Sequence, residues 1–349
     1  MKVYSEYFSK KITFLNVFLT FFIVVLHAKT PERWGLNLSM DYPFIYWMTV
    51  FAQLCVPFFF FISGLLFFDN CKFIDIERKL KSRVKSLLIP YIIWNSFFVF
   101  LFFILSHISF FNEKMNMGED VLGSVSEITN AIIHSRYTVL WFVKDLMIMM
   151  AFSCLIFLML ERKRLAWGVF ILSVIAACVM DIGYESVYRW FPLYFLGAIY
   201  SRFYLRKHDG EYIFWGEILS INSRKYLSFI LMFLFICLLL LAGLNEKYLF
   251  IYRLLSPIII WFIIDFFLMK YIQVRFKVHV WMKYMFFIYC THHFLLNVVQ
   301  KIVVIYFSPT PLVLNLTYIL SIFIVFYTLI IVAKYLSQYQ FYKYLSGGR

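Results

Sequence analysis

Charge is what this chain has least of. Only 15% of its 349 residues are Asp, Glu, Lys or Arg, against 63% hydrophobic, and its mean hydropathy is +0.81. A soluble domain carries about a quarter charged residues, so a water-exposed globule is excluded. Cysteine is missing where a disulfide framework would need it. Cys55, Cys154, Cys178, Cys237 and Cys290 fall within apolar runs, and Cys71 lies in a basic gap. No CxxC and no His-x3-His spacing occurs, so no metal is expected. The first apolar run is followed by "HAKTPERW" without a small-x-small cleavage site and is expected to remain as a span. Low-complexity linkers and a convincing internal repeat are also lacking. The expectation is a single integral-membrane domain over residues 1–349.

What is there is a series of apolar runs of the length that crosses a hydrocarbon layer of ~30 Å. They lie near 12–28, 46–68, 87–106, 138–160, 166–181, 187–204, 226–244, 248–269, 281–305 and 312–336. The expected fold class is therefore all-α, a polytopic membrane helix bundle of about ten transmembrane helices. Lys and Arg concentrate in alternate gaps: at the N-terminus, at Lys72–Lys85, Arg162–Arg164, Arg202–Lys225 and Lys270–Lys277, and in the tail. The opposite gaps hold only Lys29, Arg33, Lys114, Arg136 and Lys247. This is the positive-inside pattern, and it predicts both termini in the cytoplasm. The formal charge of +14 is thus accounted for by topology, with no nucleic-acid partner. The outer segment 107–137 is long enough for a lid or an interfacial helix, and 205–225 reads as an ordinary cytoplasmic connection.

Against this apolar background, polar residues at depth stand out. "TFFIVVLHAKT" ends an apolar run in His27, about 22 Å of helix rise beyond Ile12. His27 either marks where the helix leaves the membrane or faces a polar cavity. "FFIYCTHHFLL" supports the second reading, since His292 and His293 fall about midway through the ninth run. Imidazole is also the side chain suited to proton transfer near neutral pH. "LWFVKDLM" places Lys144 and Asp145 near the outer end of the fourth run. Glu185 and Arg189, four apart, are spaced to pair on one helix face. Arg253 is expected to snorkel, and Asp265 is a secondary candidate near the cytoplasmic side. The basic stretch "ERKLKSRVKSLLIPY" has two readings, a loop facing anionic lipid or a grip on a polyanionic cofactor. The 44 Phe, 25 Tyr and 9 Trp read as lipid-facing mass and interfacial belts.

Six segments in order give the chain a family likeness: "IVVLH", "VPFFFFISGLLF", "KSLLIPYIIWN", "LWFVKDL", "WFPLYFLGAIYSR" and "FFIYCTHHFLL". Together they resemble integral-membrane acyltransferase family 3, from about Ile12 to the tenth run. The resemblance implies transfer of an acyl group, often acetyl, from cytoplasmic acyl-CoA to a hydroxyl of an extracytoplasmic glycan. It implies that His27 is catalytic, with His292 matching the late "Y-x-x-H". Arg78, Lys81, Arg83 and Lys85 resemble the motif linked to the acyl donor. Ser63 and Gly64 match the "SG" of the second span, where glycine allows close helix approach, and Trp141 matches a fourth-span Trp. Many members carry an acidic residue and an arginine in the first span, where this chain has Thr13 and Asn16.

The expected mechanism makes His27 a general base or a transient acyl carrier, with His292 or Asp145 orienting it. Acyl-CoA, by default acetyl-CoA, is the expected donor. The expected surroundings are membrane lipids, a glycan acceptor, and partner proteins of envelope biosynthesis at a bacterial inner membrane. The alternative is a proton-coupled transporter of a polysaccharide or lipid-linked intermediate, with the same histidines as coupling groups.

Overall fold

The structure, a computed structural model, describes residues 6–114, 125–133, 137–180, 183–208 and 211–348. All ten apolar runs are helical. The first is α1 (Glu6–His27), followed by the short α2 (Thr30–Arg33). The second run is divided between α3 (Pro43–Ala52) and α4 (Cys55–Phe68). A basic helix α5 (Asp75–Arg83) runs through a π-helical turn, Val84–Leu88, into α6 (Ile89–Ser106). Then come α7 (Val125–Ile133), α8 (Trp141–Ala151), α9 (Ser153–Met159), α10 (Lys163–Val179) and α11 (Val187–Ile199). A hairpin of β1 (Arg206–His208) and β2 (Glu211–Ile213) pairs antiparallel with Lys207 opposite Tyr212. The rest is α12 (Trp215–Ile218), α13 (Ile221–Leu244), α14 (Leu249–Ile263), α15 (Met269–Val274), α16 (Met285–Tyr306), α17 (Pro311–Leu336) and α18 (Tyr342–Leu345).

Seven helices among the described residues are long and apolar enough to cross a membrane, and the pair α8 and α9, bent by 60°, makes an eighth if counted as one span. The fifth predicted run is α10, whose 17 residues are at the lower end of the 17–25 that a helical crossing takes. The sixth is the 13 residues of α11 continued by a five-residue π-helical turn, Tyr200–Tyr204, and it carries Arg189 and Arg202. The protein is a polytopic, multi-pass helical membrane protein.

Capping follows local chemistry. Thr310 accepts from the Val313 amide at 3.3 Å and Pro311 occupies the first turn of α17. Ser220 caps α13 in the same way through Ser223.

The chain divides into two compact units. The first comprises residues 1–19, 50–79 and 149–282, the second residues 20–49, 80–148 and 283–349. In the first unit, α4 and α11 touch backbone to backbone. A Cβ added at Gly64 would lie 1.9 Å from the Tyr194 carbonyl oxygen, and one at Gly197 2.0 Å from that of Phe61. Only glycine fits either position, as the "SG" pattern implied for Gly64. Arg253 does not snorkel. It is buried, donates to Gln53 Oε1 at 2.6 Å and lies over the Tyr184 ring at 4.6 Å, because an internal acceptor and an aromatic face replace water. Glu185 precedes α11, which starts at Val187 with Ser186 as its flanking residue, so Glu185 and Arg189 do not share a helix face. The 205–225 connection packs inward: Phe8 stacks on Tyr212 at 4.9 Å, and the Tyr212 hydroxyl donates to Asp69. Aromatic side chains Phe61, Trp167, Tyr200, Trp261 and Phe262 wall a cavity of about 390 Å³.

In the second unit, α16 packs along α17, and α6 carries an aromatic ladder. Phe98 stacks on Tyr137 at 3.8 Å and lies 5.7 Å from Phe294. The Tyr91 hydroxyl donates to the carbonyls of Ile132 and Ile133, and so ties α7 to α6. This helix belongs to the outer segment, of which residues 107–114, ending in a π-helical turn (Phe110–Lys114), and 137 are also described. Residues 115–124 and 134–136 of that segment lie outside the described residues.

Candidate functional site

His27 is the last residue of α1, and the backbone turns at once, with the Ala28 amide bonding back to the Val25 carbonyl. The ring meets two others from α16. Its centroid is 5.2 Å from His292 and 5.2 Å from His293, with interplanar angles of 51° and 74°. The sequence singled out His27 and His292, and the fold joins them. It adds His293 on equal terms.

The three imidazoles are held differently. His292 is fully buried, and its Nδ1 lies 2.8 Å from the Tyr289 carbonyl and 3.1 Å from that of Ile288. A carbonyl oxygen only accepts, so the proton of the neutral ring is on Nδ1 and the lone pair on Nε2. Nε2 is buried and has no hydrogen-bond partner. His293 is half-buried, with a long 3.5 Å contact from the Asn297 amide to Nδ1. His27 is also half-buried, and its ring contacts are with the other two histidines. One ring is thus fixed in its tautomer and fully buried, while the residue beside it keeps partial exposure.

A polar belt below this cluster comes from residues the sequence reading did not assign. Gln300, two helical turns after His292, is fully buried. Its Nε2 donates to the Ala28 carbonyl at 3.1 Å and to Ser321 Oγ at 3.0 Å. Its Oε1 accepts from Arg33 Nε at 3.0 Å. One amide therefore locks the end of α1, the short α2, α16 and α17 together. The signal was present in the spacing. His293, Asn297 and Gln300 recur at i, i+4 and i+7, so an otherwise apolar helix carries one polar stripe. Arg33 is half-buried. Burial pulls its guanidinium below the ordinary value, with Glu32 opposing, and an arginine so placed remains charged at neutral pH. Lys29 pairs with Glu32 at 3.0 Å.

The floor of the cluster is aromatic. Tyr137, 6.2 Å from His293, accepts from the Phe294 amide at 3.2 Å, and burial raises its phenol well above the ordinary value. Tyr289 donates to the Val139 carbonyl and so fixes the turn that leads into Trp141 and α8. Trp141 and Asp145 are both buried on α8 in the same unit.

The four residues expected to hold the donor do not form one patch. Arg78, Lys81 and Lys85 are exposed and fall near one face of the continuous α5–π–α6 helix. Arg83 is half-buried and points to the other side. Arg78 is already paired with Asp75 at 2.7 Å. Lys79, beside them, caps the C-terminus of α4 by donating to the carbonyls of Phe67 and, at 3.0 Å, Asp69.

A second buried cluster lies in the other unit. Lys11 and Asp265 are fully buried and form an ion pair at 2.7 Å, although one is 254 residues from the other. Lys11 also donates to the Trp261 carbonyl at 3.1 Å and sits 3.3 Å above the Trp261 ring centroid. Asp265 accepts a further bond from the Tyr7 hydroxyl at 2.7 Å. In the family pattern the first-span charge stands at the position of Asn16. Here a buried first-span cation lies instead at Lys11, where the sequence reading saw no equivalent. Among the described residues no group of His, Cys, Asp or Glu is arranged to hold a metal ion.

Residues 10–335 match the model of acyltransferase family 3, described as an acyltransferase domain. No curated protein and no solved structure matches the chain.

Proposed function

Because the chain belongs to acyltransferase family 3 and is a membrane acyltransferase, we propose that it carries an acyl group from acyl-CoA to a hydroxyl of an extracytoplasmic glycan, with His27 as general base. The observation that carries this reading is the pairing of a half-buried imidazole with a fully buried one of fixed tautomer. His292 Nε2 is a lone pair without a partner, and it lies on the ring next to His27. Rotation of the His27 ring would let this lone pair accept a hydrogen bond from one N–H of His27, leaving the other nitrogen as a base toward the acceptor hydroxyl.

The step balances. The acceptor oxygen attacks the thioester carbonyl while its proton passes to His27. The C–O bond forms, the C–S bond breaks, and His27 returns the proton to the departing thiolate. Asp145, buried on α8, is the alternative orienting group. Helix length supports a donor entering from the basic end. Lys85 precedes Phe98 by thirteen residues, about 20 Å of helix rise. Phe98 stacks on Tyr137 beside His293. Arg78, Lys81 and Lys85 then hold the phosphates of acetyl-CoA on one helix face while its thioester arm extends toward the imidazoles. The positive-inside pattern puts these cations in the cytoplasm and His27 toward the outside, as expected at a bacterial inner membrane.

The test compares purified wild type with His27→Ala, using radiolabelled acetyl-CoA and crude envelope glycan. Label transfer by the wild type, lost in the variant while donor binding persists, supports the reading. Absence of both thioester cleavage and donor binding in the wild type, with acetyl and succinyl donors alike, overturns it in favour of a proton-coupled transporter.

A further inference from the structure

We infer that Arg33 forms an anion subsite beside His27, so that the acceptor is a saccharide bearing a carboxylate or phosphate group. This rests on the acyltransferase reading and narrows its acceptor.

The first support is the way Arg33 is held. Its Nε is tied to Gln300 Oε1 at 3.0 Å, and Gln300 is itself fixed by two further bonds. The guanidinium is therefore pre-organised, with both terminal nitrogens left over. Among the described residues these nitrogens have no hydrogen bond and no ion pair. A guanidinium offers two parallel donors that match one carboxylate or phosphate. Half-burying one that forms no ion pair, with Glu32 paired to Lys29, is costly unless a ligand supplies the charge.

The second support is the sign of the surroundings. Lys29 and Arg33 act electrostatically on His27, and Arg33 and Lys301 on His293. The one carboxylate in this group, Glu32, is already engaged by Lys29. The mouth of the cluster is thus cationic. A neutral acceptor gains nothing from that charge, while an acidic one is drawn to it. The third support is Trp34, the next residue. Its Nε1 donates to the Phe307 carbonyl at 3.1 Å, which ties the half-buried ring to the end of α16. Such a ring supplies apolar area at little entropic cost.

The test uses the full chain in nanodiscs of zwitterionic lipid. Binding is measured by thermophoresis for a uronate-containing tetrasaccharide, its carboxyl-reduced counterpart and a hexose phosphate. The wild type is expected to bind one acidic probe about 10- to 100-fold more tightly than the reduced sugar. The acidic probe that shows the preference tells carboxylate from phosphate. Arg33→Gln is expected to bring the ratio near one, and Arg33→Lys to keep part of it. Raising the salt should erode the wild-type ratio, a readout that needs no variant to fold. Equal binding of all three probes, no binding of any at millimolar concentration, or a preference that survives in folded Arg33→Gln overturns the inference. The two readings fail separately. His27-dependent transfer to the reduced sugar as fast as to the acidic one sinks this inference alone. An acid preference without any thioester cleavage sinks the catalytic reading and leaves the subsite standing.

Discussion

Two buried polar clusters, one in each unit, are built on opposite terms. In the first unit every proton of the Lys11 ammonium has a destination: the Asp265 carboxylate, the Trp261 carbonyl and the Trp261 ring. The opposite charges cancel, and both residues are sealed from solvent. That cluster still leaves Asp265 Oδ2 and Trp261 Nε1 without partners, but inside a neutral pair closed to solvent. In the second unit His27 is half-buried, His292 Nε2 has no partner, and Arg33 keeps two nitrogens unengaged. Unsatisfied nitrogens at a site that is not neutralised from within mark the place to look for chemistry.

That contrast can be tested by breaking each cluster in turn. The largest effect is expected from His27→Ala, with acyl transfer falling about 10²- to 10⁴-fold while thermal unfolding is little changed. A drop in the unfolding temperature in proportion to the lost activity would place His27 with the structural cluster. Lys11→Met is expected to do the reverse. It leaves Asp265 buried without its cation and costs about 3–5 kcal/mol, read as a lower unfolding temperature in detergent. Adding Asp265→Leu should restore much of the loss. If the double substitution is no better than the single, the pair is not an isolated closed network.

Gly64→Ala is expected to cost about 1–3 kcal/mol, because the new methyl meets the Tyr194 carbonyl and two backbones must part. Full stability in that variant would show that the close contact of α4 and α11 is not needed. The smallest effect is expected from Thr310→Ala, about 1 kcal/mol from loss of the α17 cap. It serves as a control for damage unrelated to either cluster, and transfer per folded molecule should not change.

Much of this was legible in one dimension. Each apolar run is helical over most of its length, because a hydrocarbon solvent forces backbone groups to pair within the segment, although the second and fourth runs are each broken into two helices. His27 and His292 were visible as polar exceptions in apolar runs. Legibility stopped where partners are far apart in the chain. Nothing local in "SKKITF" distinguishes the buried Lys11 from Lys10, which pairs with Glu6 at 2.7 Å near the surface. Arg253 looked like a snorkelling residue because Gln53 and Tyr184, its partners, are remote in sequence. Arg33 looked like one more loop cation until Gln300 was seen to hold it. That α10 has only 17 residues was hidden because hydropathy averages over a window and does not register where a helix ends.

The Lys11–Asp265 pair also sets a timetable. The ammonium enters the membrane with the first helix, and the carboxylate that neutralises it is made 254 residues later. At a synthesis rate of about 5–20 residues per second, the wait is roughly 13–50 s. During that interval the first helix holds an uncompensated cation close to its cytoplasmic end, within reach of lipid headgroups. The helix can be committed to its final depth only after the eighth apolar run has arrived. A late step of assembly is therefore written into the first dozen residues of the chain.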